Sequence, residues 1–288
     1  MDENQIIVDA WDTILFDKFS RFKHLLVDGL SAHSNEVFSR DMYQPGQRVL
    51  DVGCGFGDST LRIAQQVAPD GLAVGADCAE NFVREARAAA ETRKTRNAQF
   101  LVADVQRDDL HGPYDAVFAR FGTMFFALPG AAMANIRRAL KPGGEFTQIV
   151  WRKREDNTWL YEAEMCVREL VPVVSHDETD QVHCGPGPFS MSGPDMVSSM
   201  LRSVGFDRIR FERFDADICI GHSIDEAVEF AMALGPAGEI IRLAGEEGER
   251  RLPQVREALG EVFRPYLRNG EVWGPSSTWF ITARNPAA

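Results

Sequence analysis

The sequence predicts an α/β fold, a doubly wound and mostly parallel sheet interrupted by helical insertions, on three observations. Apolar runs that suit buried strands succeed one another between residues 48 and 151. The first of them feeds a glycine turn and a helix start, and three of them end in an aspartate. With 288 residues, 44% of them hydrophobic, the chain can bury the core of one sizeable α/β domain with insertions, and two independent domains are not required.

Taken in order, residues 1–44 carry Trp11, Leu15, Phe16, Phe19, Phe22 and Leu26 at close to three-four spacing, which predicts one or two amphipathic helices capping an end of the sheet. Residues 48–60 read RVLDVGCGFGDST. Val49, Leu50 and Val52 suit a buried strand, and Gly53, Gly55 and Gly57 permit positive φ and close backbone approach. Asp58, Ser59 or Thr60 can cap the next helix. Residues 72–77 (LAVGAD), 98–104 (AQFLVAD) and 114–120 (YDAVFAR) predict the next three strands, the last ending in Arg120 before Phe121. The KPGG of residues 141–144 predicts a helix stop and a turn into a fifth strand at 145–151.

A segment at 152–193 follows, with a charged turn (RKREDN), a helix over 159–170 and a turn-rich end (GPGPFSMSGP). A core helix is expected at 194–204 and a sixth strand at 208–214. Residues 221–270 read as two helices, 225–234 and 246–263, separated by Gly235 and Pro236, and the last strand is expected at 277–283. The chain therefore divides into a helical cap (1–44), a ligand-binding half of the core (45–151), an insertion (152–193), more core (194–220), a second insertion (221–270) and the final strand (271–288). Cap and insertions together can build a lid on one side of the sheet.

The dinucleotide fingerprint G-x-G-x-x-G spaces its third glycine for a pyrophosphate on a helix N-terminus. Here the pattern is D-x-G-x-G-x-G. Asp51 repels phosphate but suits an ammonium group, so the ligand it implies is cationic on one side and lacks a diphosphate. Asp77, at the end of the second predicted strand, can accept hydrogen bonds from both hydroxyls of a ribose. Asp104 can accept from an adenine amino group while Val105 packs on the ring.

At this point the resemblance is plain. VLDVGCGFGDST, GADCAENF, LVADVQ, PYDAVFARFGTMFF and ALKPGGEF resemble, in order and spacing, the successive motifs of class I S-adenosylmethionine-dependent methyltransferases, over residues 46–151. The resemblance implies a seven-stranded sheet with an antiparallel last strand, S-adenosyl-L-methionine across the carboxyl ends of strands one to four, and S-adenosyl-L-homocysteine as product. It also implies that Gly53, Gly55 and Gly57 line the methionine part and that Asp51 approaches the ammonium. Asp77, with Cys78 beside it, falls to the ribose, and Asp104 with Val105 to the adenine. Arg120 and Phe121 fall near the sulfonium and the acceptor, and Trp11 and Phe16 of the cap are placed near the sulfonium, because an aromatic face attracts a cation. Within the family the chain is similar to small-molecule enzymes of the ubiquinone and menaquinone biosynthesis type.

Methyl transfer needs alignment and dehydration, and a general base only for some acceptors. His24, His33, His176, His183 and His222 are the candidate bases; location ranks His24 and His222 first, and Arg120 joins them as a catalytic candidate. A net charge of −12 and the lack of a basic stripe argue against nucleic acid and for a small, apolar or aromatic acceptor, with O, C or N as the methylated atom. Neither a signal peptide nor a membrane span is evident, so a cytoplasmic protein is expected. A homodimer is left open. The five cysteines include no C-x-x-C pair and the carboxylates show no metal spacing, so no metal is expected. Three other readings stay open: an NAD-dependent oxidoreductase, a noncatalytic module that binds the same cofactor, and an arsenite methyltransferase using thiols such as Cys166 and Cys184.

Overall fold

The structure, a computed structural model, describes residues 3–172 and 186–287. Its sheet runs in the order β3-β2-β1-β4-β5-β8-β6. Strands β1 (Arg48–Val52), β2 (Leu72–Asp77), β3 (Ala98–Val102), β4 (Tyr114–Arg120) and β5 (Leu140–Trp151) pair in parallel, whereas β8 (Glu271–Arg284) lies antiparallel to both β5 and β6 (Asp207–Gly221). The expected seven strands are joined by an eighth, the two-residue β7 (Leu267–Arg268), which closes a tight hairpin onto β8.

Alternation along β1 explains why both faces are covered. Leu50 and Val52 join a core cluster with Met133 and Ile136, while Val49 points to the opposite cluster with Ile63, Ala64, Val67, Val37 and Phe38. The first cluster is closed by helix α6 (Pro129–Ala139), the second by α4 (Asp58–Val67) and α3 (Ser31–Phe38). Helix α5 (Glu80–Arg93) packs against β2 and β3, and α8 (Pro194–Ser203) against β6.

Several expected boundaries move, each for a physical reason. The KPGG turn lies inside β5, where pairing passes from Tyr114–Leu140 to Ala116–Glu145 and residues 141–144 bulge out, with Gly143 at φ +80°. Strand β6 continues beyond Phe214 because Asp215 and Asp217, which read as a strand stop, lie on an edge and find Arg213, Ser277 and Arg268. Gly235 and Pro236 do not simply separate two helices. Pro236 takes the first position of a third helix, α10 (Pro236–Leu243), between α9 (Ile224–Ala233) and α11 (Gly245–Phe263).

The N-terminal segment is mostly helical from Glu3 to Phe38, with α1 (Glu3–Ala10), α2 (Phe16–Arg21) and α3 joined through two π-helical stretches, Trp11–Leu15 and Leu25–Gly29. Helices α7 (Thr158–Leu170), α9, α10 and α11 pack on one another. Among the described residues, no helix is long and apolar enough to cross a membrane. His176, His183 and Cys184 lie outside the described residues.

Candidate active site

The glycine turn after β1 adopts positive φ at Gly53 (+65°), Gly55 (+51°) and Gly57 (+79°). A Cβ at Gly53 would stand 3.1 Å from Gly122 Cα, so two backbones cross there with no room for a side chain. Gly57 faces elsewhere. Its Cβ would meet Ala86 at 2.8 Å and Phe100 at 2.9 Å, which makes it the packing point of α4 against α5 and β3.

Asp77 anchors the turn. Its Oδ2 accepts from Gly55 N at 2.9 Å and its Oδ1 from Ala79 N at 3.1 Å. Burial pushes its pKa up, and these backbone donors oppose the shift. Asp51 lies one layer deeper. Ser59 and Thr60 donate to its Oδ2 at 2.7 and 2.6 Å, and its buried Oδ1 has no partner. Burial raises this carboxyl from 3.8 to about 6. The helix cap is therefore Gly57, and the hydroxyls expected to cap α4 serve Asp51 instead.

Arg120 holds Asp58 at 2.7 Å and donates to Ser34 at 3.3 Å. Asp104 accepts from Asn4 Nδ2 at 2.6 Å and from Gln106 Nε2 at 3.1 Å, and pairs with Arg107 at 3.0 Å. Phe121, at φ +57°, stacks on Trp151 with centroids 4.5 Å apart. For a bulky residue, that left-handed backbone costs about 1–2 kcal/mol, held in place by the stack. Buried His33 sets its edge against both rings. His33 Nε2 lies 2.8 Å from the Ser276 hydroxyl, which donates to Ala216 O, and Nδ1 lies 3.2 Å from the Thr278 hydroxyl, which is also within reach of Phe214 O. Burial lowers the His33 pKa to about 4, leaving a neutral imidazole with both nitrogens engaged.

Two cavities meet here. One, of about 160 Å³, is walled by the glycine turn, Asp58, Ser59, Asp77, Cys78, Asp104, Val105, Gln106, Arg120 and Asn4. The second, of about 910 Å³, is walled by Trp151, Trp159, Leu160, Phe230, Ile218 and Ile240 among others. Trp11, Phe19, Leu26, Leu30, Phe121 and Phe125 line both.

Of the residues singled out from sequence, Trp11, Gly53, Gly55, Asp77, Cys78, Asp104, Val105, Arg120 and Phe121 are brought together on the smaller cavity. Asp51, Gly57, Phe16, His24 and His222 line neither. Phe16 packs on Phe56 and Phe82 behind the wall. His24 and His222 stack on each other at 5.5 Å, bonded to Glu226 and Glu271. Asn4, Gln106 and Gly122 were missed. Gly122 directly follows Phe121, and its glycine was the one available signal; Asn4 had none.

Comparison with known proteins finds similarity to methyltransferases. Residues 49–144 match the family model described as a methyltransferase domain. The chain is 33% identical, over 46% of its length and 55% of the relative's, to a demethylmenaquinone methyltransferase of Symbiobacterium thermophilum. It is 27% identical, over 65% of its length and 74% of the relative's, to a ubiquinone/menaquinone biosynthesis C-methyltransferase of Bordetella avium. Its fold is that of phosphoethanolamine N-methyltransferase 2 of Haemonchus contortus, solved with S-adenosyl-L-methionine. The two share 16% identity at a TM-score of 0.57, over 97% of this chain and 60% of that one. Residues 49–144 thus match a methyltransferase domain, and the motif run, the strand order and the glycine turn together resemble those of class I S-adenosylmethionine-dependent methyltransferases.

Proposed function

We propose that this protein transfers a methyl group from S-adenosyl-L-methionine to a small, apolar or aromatic acceptor, releasing S-adenosyl-L-homocysteine. The observation that carries the reading is the junction itself, a chamber of about 910 Å³, mostly apolar but with Arg154, Glu164, Arg168 and Glu239 in its lining, that shares an aromatic wall with the cavity of the glycine turn.

The residues present fit the cofactor. The Arg120–Asp58 pair is a zwitterion and complements one, the guanidinium facing a carboxylate and Asp58 an ammonium. Asp58 thereby takes the part expected of Asp51, which stands behind the wall. Asp77 presents a carboxylate already held by two backbone N–H groups, suited to hydroxyl donors. When bound, the cofactor supplies a methyl group activated on a sulfonium. The chain's own task is to hold the acceptor in line and keep water out, which Trp11, Phe121 and Phe125 do where the cavities meet. Their faces also favour a cation. His33 is the histidine nearest these rings, and its full hydrogen bonding makes it a support for Phe121 and Trp151 rather than a base.

A screen with methyl-labelled cofactor against phenols, quinols, amines and thiols, read by mass spectrometry, tests the reading. A labelled product from an aromatic acceptor is the expected result. Calorimetric binding of NAD without binding of S-adenosyl-L-methionine overturns it.

A further inference from the structure

Among the described residues, two overlapping clusters have the donors and spacing of a metal centre, His24, His222 and Glu226 and, sharing His222, Cys219, His222 and Glu271; the first lies outside both cavities. His24 comes from the N-terminal cap, immediately before the Leu25–Gly29 stretch, while His222 lies between β6 and α9 and Glu226 in the first turn of α9. One ligand atom from each lies within 4.8 Å of the others. Closing such a triad around an ion with bonds of about 2.0–2.2 Å requires the two stacked rings to turn so that their in-plane lone pairs converge.

Glu226 and His222 are each oriented by a bond that leaves one side-chain atom to spare, and His24 Nε2 bonds the spare Glu226 oxygen, a contact the ion would replace. Glu226 Oε2 accepts from the His222 backbone N–H at 2.6 Å, which fixes the carboxylate and presents Oε1 to His24 Nε2 at 2.9 Å. Glu271, from β8, holds His222 Nδ1 at 2.9 Å through Oε1, while its Oε2 accepts from Trp273 Nε1 at 3.2 Å. A carboxylate on one imidazole nitrogen is the usual outer-shell device that orients a metal-binding histidine and raises its basicity, here leaving Nε2 for the ion. The two imidazoles lie 19° from parallel at 5.5 Å, about half exposed, so an ion can reach them from solvent.

We propose that His24, His222 and Glu226 form a binding site for a divalent transition metal of the zinc type, with Glu271 as the positioning residue of His222 and water completing the shell. Two neutral imidazoles and one carboxylate suit zinc, whereas calcium and magnesium prefer all-oxygen sets. The site ties the cap to the start of α9. Leu25 and Leu26, which follow His24, and Cys219 and Ile220, which precede His222, all line the larger cavity. A bound ion therefore pins two walls of that chamber together. The proposal is independent of methyl transfer, and so is its test.

The test uses untagged, chelator-treated protein, titrated with Zn²⁺ by calorimetry and with Co²⁺ by visible absorption. The expected result is one ion per chain, tetrahedral cobalt bands, and slower proteolysis of the N-terminal segment. His24→Gln and His222→Gln should each weaken binding by at least about 100-fold, and Glu271→Gln by about 10- to 100-fold. His111→Gln, at an exposed histidine beside Asp109, should leave it unchanged. No stoichiometric binding, or binding indifferent to His24→Gln and His222→Gln, overturns the proposal. Should those variants misfold, Zn²⁺-induced shifts of the His24 and His222 ring protons in the native chain decide it: shifts support the site, and unmoved resonances overturn it.

Discussion

Asp51 carries a buried charge whose cost can be read from the pH dependence of stability. Its carboxyl is 1% exposed, has one oxygen without a partner, and titrates near 6 instead of 3.8. The folded state thus binds the proton more tightly than the unfolded state does. The sign follows directly: the stability contributed by this group is fully present below pH 3.8 and is lost as pH rises through 6. Acidification from pH 8 to pH 5 moves one unit below the folded value, worth about 1.4 kcal/mol, and the full span of about two units is worth about 3 kcal/mol. Asp51→Asn removes the titration and keeps the shape. Urea unfolding of the ligand-free wild type and variant at pH 8 and pH 5 cancels the other titrating groups in the difference. Relative to the variant, the wild type should gain about 1.4 kcal/mol at pH 5. A difference that stays flat, or moves the other way, refutes the account of Asp51 as a charge held against burial.

Asp77→Ala should weaken binding of S-adenosyl-L-methionine by about 1.5–3 kcal/mol, or roughly 10- to 150-fold, by titration calorimetry; unchanged affinity rejects Asp77 as a ligand of the ribose. Gly57→Ala should cost more stability than Gly46→Ala. Both positions lie at positive φ, worth about 1–2 kcal/mol each, but a Cβ at Gly46 meets nothing within 4 Å while one at Gly57 strikes Ala86 and Phe100. Equal losses in urea midpoint would show that packing at Gly57 is slack. His33 runs opposite to Asp51: with its pKa lowered from 6.5 to about 4, its contribution is present above 6.5 and lost as pH falls. The wild type should lose about 2 kcal/mol relative to His33→Gln between pH 7 and pH 5, and a pH-independent difference would count against the neutral imidazole.

The parallel half of the fold was legible because each unit is local. β1 and the glycine turn lie within a dozen residues, and Asp77 and Asp104 mark neighbouring strand ends in chain order. What a local reading misses is which way a residue faces. Gly53 and Gly57 look alike in sequence, yet one crosses Gly122 and the other, at the start of α4, packs against α5 and β3. Asp51 and Asp58 are both acids beside one loop, and only the twist of the helix start brings Asp58 to the wall while Ser59 and Thr60 turn back to Asp51.

The larger cavity was not legible, and the reason is topological. Its walls combine Trp11 and Leu26 from the cap, Trp159 from α7, Ile218 from β6, and Phe230 and Ile240 from α9 and α10. These residues span more than 200 positions, and no period or motif links them. Each separately reads as ordinary core. The π-helical stretches compound this, because one extra residue per turn at Trp11–Leu15 and Leu25–Gly29 rotates the apolar stripe away from three-four spacing. Trp11 therefore reaches Phe125, while Phe16, one stretch later, turns to Phe82 behind the wall. The glycine turn is local because it must be continuous in the chain, whereas the walls of the larger cavity are assembled by tertiary packing, so they can vary without disturbing the turn.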